Sequence, residues 1–429
     1  MLDALRHRDF RLLWSARLTS FLGNWLLVVA APAYVFQLSH SLVAVGLMTT
    51  AEYLPSLILG PSAGVLSDRW NRRKLMVSMD LLRVGAVSLF FLVHSANTVW
   101  IMYAVVVVES AAGVLFRPAS QALTPMVVGT GKALTGAASL NSLTDAIVRL
   151  AGPPLGAALA LVGGFHLLAG LDMASYVASA ALLFMVRGIY ARPHHENLTL
   201  RRAGIMLADG ARAIRRAPMA RTLLPVSVMF LTANASLGAL LTPFGMTHWG
   251  GQRQVGLTIS ALGAGFLLGA PMIRAFADRI QPRLILSGAL LGTAIVFFVL
   301  FHSNTLLEAM AAAVMIGLFG AQILTVPQVI LQRVTSNEVL GRVSAVFFTG
   351  EALAMLVGSL EGPFVAQYAG YAWTTAIACS VTLAAGLLGA LVIPQVALEA
   401  PAQTRDGLTS FAPRSLNSTV EERRKRARL

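Results

Sequence analysis

Twelve apolar runs, each close to the length that crosses a membrane, dominate this sequence. A bilayer's hydrocarbon core is about 30 Å thick and takes about 20 residues of helix to span. No water is available there, so a crossing segment must satisfy its own backbone N–H and C=O groups. Runs this long do so as α-helices. The first six are Leu12–Gln37, Leu42–Ser67, Leu75–His94, Thr98–Ala122, Ser139–Gly163 and Phe165–Val186. The second six are Thr222–Met246, Val255–Ala277, Leu284–His302, Leu306–Leu331, Leu340–Gln367 and Ala372–Ile393. The expected fold is an all-α polytopic membrane protein with twelve transmembrane helices.

The links between runs test this count. Alternate links are Leu38–Ser41, Ser95–Asn97, Gly164, Thr247–Gln254, Ser303–Thr305 and Tyr368–Tyr371, and Arg253 is their one Lys or Arg. The other links and the two ends hold nearly all the rest. Basic links stay in the cytoplasm, so both termini are expected there. The apolar run after Met1–Phe10 is too long for a signal-peptide core and reads as a retained first helix.

Composition excludes several classes. Apolar residues are 56% of the chain and charged residues 12%, against about 25% charged in soluble proteins. The net charge of +14 follows from topology. No aromatic-plus-basic motif of a nucleic-acid module accompanies it, so the expected surroundings are a lipid bilayer and no nucleic acid. Cys379 is the single cysteine, which rules out a disulfide framework. No His/Cys spacing suits a metal, no phosphate-binding Gly-x-x-x-x-Gly-Lys-Ser/Thr run occurs, and no cofactor is expected. No nucleophile–base arrangement suggests an enzyme.

The layout is six runs, a long link and six runs. Residues 1–186 form one bundle, 187–221 a basic cytoplasmic link, 222–394 a second bundle, and 395–429 a disordered tail. The link Arg187–Arg221 carries eight arginines against Glu196 and Asp209. Its apolar residues fall loosely on one face, so part of it is expected to lie as an amphipathic helix on anionic lipid. Gly-x-x-x-Gly pairs, which let helices approach closely, occur at Gly60/Gly64, Gly152/Gly156, Gly265/Gly269 and Gly358/Gly362. These are helices two, five, eight and eleven, the same ordinal positions in each half, and they argue for two related bundles that touch through those helices. A further pair, Gly288/Gly292 in helix nine, breaks the pattern.

The link after helix two is short and basic. Gly64-Val65-Leu66-Ser67-Asp68-Arg69-Trp70-Asn71-Arg72-Arg73-Lys74 joins a glycine contact, an acid and a basic cluster at one end of a helix pair. It reads as a conformational latch made by Gly64, Asp68, Arg69, Arg72 and Arg73, with Arg117 a partner for Asp68. The latch is expected to close against the start of helix eleven, near Gly341–Ala345. The stretch resembles the loop two–three signature of the major facilitator superfamily, Gly-x-Leu-x-Asp-Arg-x-Gly-Arg-Arg, with Asn71 in place of the last glycine. Asn tolerates a left-handed backbone better than most residues, so the turn is expected to survive. Arg149-Leu-Ala-Gly152-Pro153-Pro154-Leu-Gly156 resembles the Gly-Pro motif of that superfamily's proton-coupled exporters, which implies a helix-packing role for Gly152, Pro153 and Gly156. The opening Leu5-Arg6-His7-Arg8-Asp9-Phe10-Arg11-Leu12-Leu13-Trp14 and Asp80-Leu-Leu-Arg83 resemble the macrolide-efflux and siderophore-exporter branch.

The resemblance implies a fold of two six-helix pseudo-repeat bundles. It also implies a monomer in a bacterial inner (plasma) membrane that moves an amphipathic small organic molecule out of the cytoplasm in exchange for protons. An importer or facilitator of a polar solute is the alternative, and a non-transporting membrane scaffold or sensor a third reading. Ionisable groups at mid-membrane cost about 2.5–3.5 kcal/mol each and need a partner or a purpose. Glu52, Glu109, Arg149 and Glu351 lie near the midplane, and Asp145 shares a helix face with Arg149. Proton coupling is expected at Glu109, Asp145 or Glu52, with Arg149 responding; a permanent buried ion pair is the alternative. The resemblance places Asn24, Trp25, Tyr53, Asn234, Gln322 and Glu351 on the cavity, with Phe21, Phe230 and Phe244 as further apolar wall. Asp80 and Arg83 read as structural, Asp172 stays open, and Arg17 reads as snorkelling to the inner surface.

Overall fold

A computed structural model describes residues 4–129, 131–187, 212, 214, 218–276, 280–335 and 337–393. Apart from short links these residues are helical, with no strand among them. In chain order the first helices are α1 Arg8–Ser39, α2 Leu42–Arg69, α3 Arg72–Ser88 and α4 Val99–Val128. The element Lys132–Phe184 follows, and it breaks at Gly164, whose φ is 68°. Its two parts are α5 (132–163) and α6 (165–184). The second half contains α7 Pro218–His248, α8 Gln252–Phe276, α9 Pro282–Leu300, α10 Leu306–Val334, α11 Asn337–Ala369 and α12 Tyr371–Val392. Ten elements among the described residues are long and apolar enough to cross a membrane, and one of these is the α5–α6 element. The remaining helix, α8, is 25 residues long.

The reversal at Gly164 shows in the packing. Helix α5 runs parallel to α1: Trp14 Nε1 donates to Thr144 Oγ1 at 3.0 Å, and further along Gly156 lies against the backbone of Leu26. Helix α6 runs the other way. Phe165, at its start, stacks on Tyr34 near the end of α1 at 4.4 Å. Beyond its end, the Met185 carbonyl accepts from Arg8 Nη1 at 3.4 Å. One residue with positive φ therefore makes the whole turn, which a glycine adopts without strain.

Short links elsewhere are fixed by caps. The Ser41 hydroxyl accepts from the Ala44 N–H at 3.3 Å and starts α2. Thr305 and Glu308 form a reciprocal capping box that starts α10. Asn71 accepts from the Lys74 N–H at 3.1 Å and starts α3, with φ −62°. The left-handed turn expected at Asn71 is therefore absent. Asn replaces glycine there as an N-cap, because its side chain supplies an acceptor that glycine lacks.

The two halves pack by the same plan. In the first, Gly152 and Gly156 of α5 lie on Trp25 and Leu26 of α1. In the second, Gly358 and Gly362 of α11 lie on Thr232 and Ser236 of α7, and Ser236 Oγ donates to the Gly358 carbonyl at 3.0 Å. Gly265 and Gly269 of α8 lie on Val314 and Leu318 of α10. The corresponding pair in the first half, α2 and α4, is joined by Ser110 Oγ donating to the Glu52 carbonyl at 2.5 Å. These glycine pairs hold helices together within each half, rather than joining one half to the other.

Contacts between the halves use other residues of the same helices. Gly46 of α2 lies against the Ser359 carbonyl and Pro363 of α11. Thr50 and Ser359 share a hydrogen bond of 3.0 Å, and Gln367 Oε1 accepts from the Leu42 N–H at 2.8 Å. Gly256 of α8 lies against Ala157 and the Pro153 carbonyl of α5. All of these lie toward the side opposite the amino terminus. Gly60, about 40° around α2 from Gly46 at 100° per residue, faces nearly the same way and meets nothing within 4 Å. Among the described residues, α2 and α11 have parted at Gly60.

Candidate functional site

Residues of α1 and α5 set the first cluster. Arg17 Nη2 lies 2.6 and 2.8 Å from the two carboxylate oxygens of Asp145. Arg17 therefore does not simply extend to the membrane surface. The α1–α5 contact, closed by Gly152 and Gly156, brings its guanidinium to a carboxylate on the neighbouring helix. Arg149 lies one turn beyond Asp145, and its guanidinium carbon sits 5.2 Å from the Trp25 ring centroid and 6.0 Å from that of Phe21. Arg149 is exposed, and no carboxylate among the described residues pairs with it. Gly152 sets this stack, because a Cβ there would meet the Cβ of Trp25 at 2.7 Å.

A second cluster is buried inside the first half. Asp80 and Arg83 come from α3, Glu109 from α4, and Asp172, Ser175, Tyr176 and Ser179 from α6. Asp80 and Asp172 are 0% exposed, Glu109 and Arg83 9%. Arg83 Nη1 lies 3.5 Å from Asp80 Oδ1, and Ser179 donates to Asp80 Oδ2 at 2.6 Å. Arg83 Nε donates to the Glu109 carbonyl at 3.4 Å, and the guanidinium lies over the rings of Phe116 and Tyr176. Tyr176 donates to Glu109 Oε1 at 3.0 Å, and the Glu109 and Asp172 carboxyls are within hydrogen-bonding reach of each other. Ser175 donates to Asp172 Oδ1 at 3.4 Å, whereas Asp172 Oδ2 has no hydrogen-bond donor among the described residues. Gly23 of α1 completes the wall, and a side chain there would collide with Asp172 and Ser175.

The sequence points to Glu109 and to a structural Asp80 and Arg83, but leaves Asp172 open and does not single out Tyr176. Depth along a helix singles out Glu109, but depth does not say that α6 presents Asp172 and Tyr176 to it. Glu52 is exposed on α2, and its charge reaches Glu109. The cavity candidates differ in setting. Asn24 is exposed, Tyr53, Asn234 and Glu351 are half-buried, and Gln322 is buried. Phe244 is not on an open wall: it is 3% exposed and packs with Trp249, Phe301, Tyr371 and His248.

Of the latch residues, Arg72 donates to Met126 Sδ at 2.8 Å and Arg73 to the Phe184 carbonyl at 2.7 Å. These contacts tie α3 to α4 and α6. Arg117 is exposed on α4 with no ion-pair partner among the described residues. The side chains of Asp68 and Arg69 and the surroundings of Gly64 lie outside the described residues, as do those of 337–342. The expected amphipathic helix in the long link and the tail after Ile393 lie largely or wholly outside them too. No group of three His, Cys, Asp or Glu among the described residues is placed to hold a metal ion.

The fold and a chain-long comparison agree. The family model described as "Transmembrane secretion effector" matches residues 1–426. The chain belongs to that family, within the major facilitator superfamily. It is a multi-pass membrane transporter. Macrolide efflux protein A of Streptococcus pyogenes is 23% identical over 367 residues, covering 84% of this chain and 90% of that protein. The multidrug efflux pump Tap of Mycobacterium tuberculosis is 27% identical over 359 residues, covering 80% and 83%. Among solved structures, the nucleoside transporter NupG superposes with a TM-score of 0.76 at 11% identity, covering 90% of this chain and 100% of that one. A bacterial homologue of ferroportin in its inward-facing state superposes at 0.72 with 14% identity, covering 89% and 98%. Likeness at such identity speaks for the fold alone.

Proposed function

We propose that this transporter is a secondary active exporter. It carries an amphipathic small organic molecule out of the cytoplasm of a bacterial cell, across the plasma membrane, in exchange for protons. The observation that carries the reading is the contrast along α2. Gly46 and Thr50 grip α11, whereas Gly60 faces open space. With the amino terminus in the cytoplasm, as the basic links favour, this conformation is closed outside and open inside. An exporter loads its cargo in that state. Rocking of the halves about the midplane would then open the outer side.

Efflux relatives support the direction, since macrolide efflux protein A and the pump Tap align over most of their lengths. The cavity chemistry fits an amphipathic cargo. Arg149 stacked on Trp25 offers a charge beside an aromatic face, and Asn24, Tyr53, Asn234 and Glu351 would add polar groups. Coupling is assigned to Glu109 and Glu52 ahead of Asp145, because Asp145 is already held by Arg17.

The test is transport of a panel of lipophilic compounds into inverted membrane vesicles, with and without a protonophore. Accumulation that collapses with the protonophore is expected. Accumulation that needs ATP and resists the protonophore would overturn the coupling. Uptake only into right-side-out vesicles would reverse the direction.

A further inference from the structure

We propose that Glu109 and Asp172 together form a single proton-binding site inside the first half, entered from the cavity by way of Glu52. The two carboxyls come from different helices, α4 and α6, and lie within hydrogen-bonding reach of each other. Both are buried, Asp172 completely. Two carboxylates in that position only repel, because neither has a hydrogen to give. One proton between them turns repulsion into a hydrogen bond. Among the described residues Asp172 Oδ2 has no donor, and a protonated Glu109 would supply one.

The surroundings leave this arrangement as the economical one. From α3 come Asp80 and Arg83, and the single positive charge of Arg83 is already drawn to Asp80 at 3.5 Å. From α6 comes Tyr176, which donates to Glu109 Oε1 at 3.0 Å. Helix α1 presents Gly23, whose missing side chain makes room for Asp172 and Ser175. Helix α2 brings Glu52, held to α4 by the bond from Ser110 to its carbonyl. Three carboxylates around one guanidinium leave an excess of negative charge in a dry interior, which costs several kcal/mol unless neutralised.

The sequence of exposure gives the route. Glu52 is exposed, Glu109 is 9% exposed and Asp172 is 0% exposed. A hydronium ion in the cavity gives its proton to Glu52 and leaves as water. The proton passes to a Glu109 oxygen, forming a new O–H bond as the Glu52 O–H bond breaks, and it is held there by the hydrogen bond to Asp172. Release reverses these steps. The role in transport rests on the antiport reading, whereas occupancy of the site does not.

The test is infrared difference spectroscopy of the purified transporter between acid and alkaline pH, with indicator-based counting of protons bound. The wild type is expected to show a protonated-carboxyl band. Glu109→Gln and Asp172→Asn should each remove that same band and one bound proton, and the double variant should remove no more than either single one. Two separate bands lost independently, or a band that survives both variants, would overturn the shared site. Tyr176→Phe guards against loss of folding: it keeps both carboxyls and should shift the band without removing it, and an unmoved band counts against the site. Glu52→Gln should slow exchange without abolishing the band. The protonophore assay decides antiport separately, so the two ideas fail in different experiments.

Discussion

Arg17 on α1 and Asp145 on α5 form a two-point ion pair at 2.6 and 2.8 Å, so the carboxylate one turn before Arg149 is held by a neighbouring helix. The pair is about one-third exposed on each side. Its stabilisation is therefore intermediate between a surface pair at about 0.2–1 kcal/mol and a buried one. Asp145→Asn and Arg17→Gln should each lower Tm in detergent, and the double variant should be less destabilised than the sum. Strict additivity in this double-mutant cycle would show that the pair contributes nothing.

Arg83 is a stronger case. It is the one cation of the buried cluster and serves Asp80, the Glu109 carbonyl and two aromatic faces together. Arg83→Ala should destabilise by about 3–5 kcal/mol, the range for stranding buried charge, and should show as lost expression or a large fall in Tm. Arg83→Lys should recover only part, because an ammonium lacks the planar face that lies over Phe116 and Tyr176. Full recovery with Lys would mean that charge alone matters there.

Position along a helix was legible in the sequence, and position around it was not. A rise of about 1.5 Å per residue places Glu109, Arg149 and Glu52 well inside α4, α5 and α2, and the run lengths locate Gly164 as a one-residue link. The spacing of Asp145 and Arg149 on one face suggested a pair, but a neighbouring helix supplied a better partner in Arg17. The glycine pairs announced close approach without naming the neighbour. Three of them face helices within their own half, while Gly46 and Gly256, outside any such pair, carry contacts between the halves. Asp172 stayed open for the same reason: what it means depends on Glu109 and Gly23, which only packing brings to it.

Glycines with different surroundings should respond differently. A Cβ on Gly156 would meet the Leu26 carbonyl and one on Gly358 the Thr232 carbonyl, both rigid backbone atoms. Gly156→Ala and Gly358→Ala should each cost about 1–3 kcal/mol as overpacking. Gly60→Ala meets nothing in this conformation and should leave Tm unchanged or raise it, since alanine favours the helix by about 0.5–1 kcal/mol. A fall in Tm for Gly60→Ala equal to that of Gly156→Ala would contradict the parting of α2 from α11.

The outer contact can be locked. Thr50 and Ser359 place their hydroxyl oxygens 3.0 Å apart across α2 and α11, close enough for cysteines there to reach disulfide geometry. The lone native cysteine, Cys379, is buried on α12 and is best replaced by alanine first. In that background, oxidised Thr50→Cys/Ser359→Cys should lose efflux almost completely, because the outer side can no longer part, and a reductant should restore it. Each single variant should transport normally under both conditions. Binding of cargo from the inner side should survive in the locked protein, since the lock holds the conformation in which Gly60 already faces open space. Normal efflux from fully cross-linked protein would mean that cargo leaves without separating α2 from α11, and the rocking of the two halves would have to be abandoned.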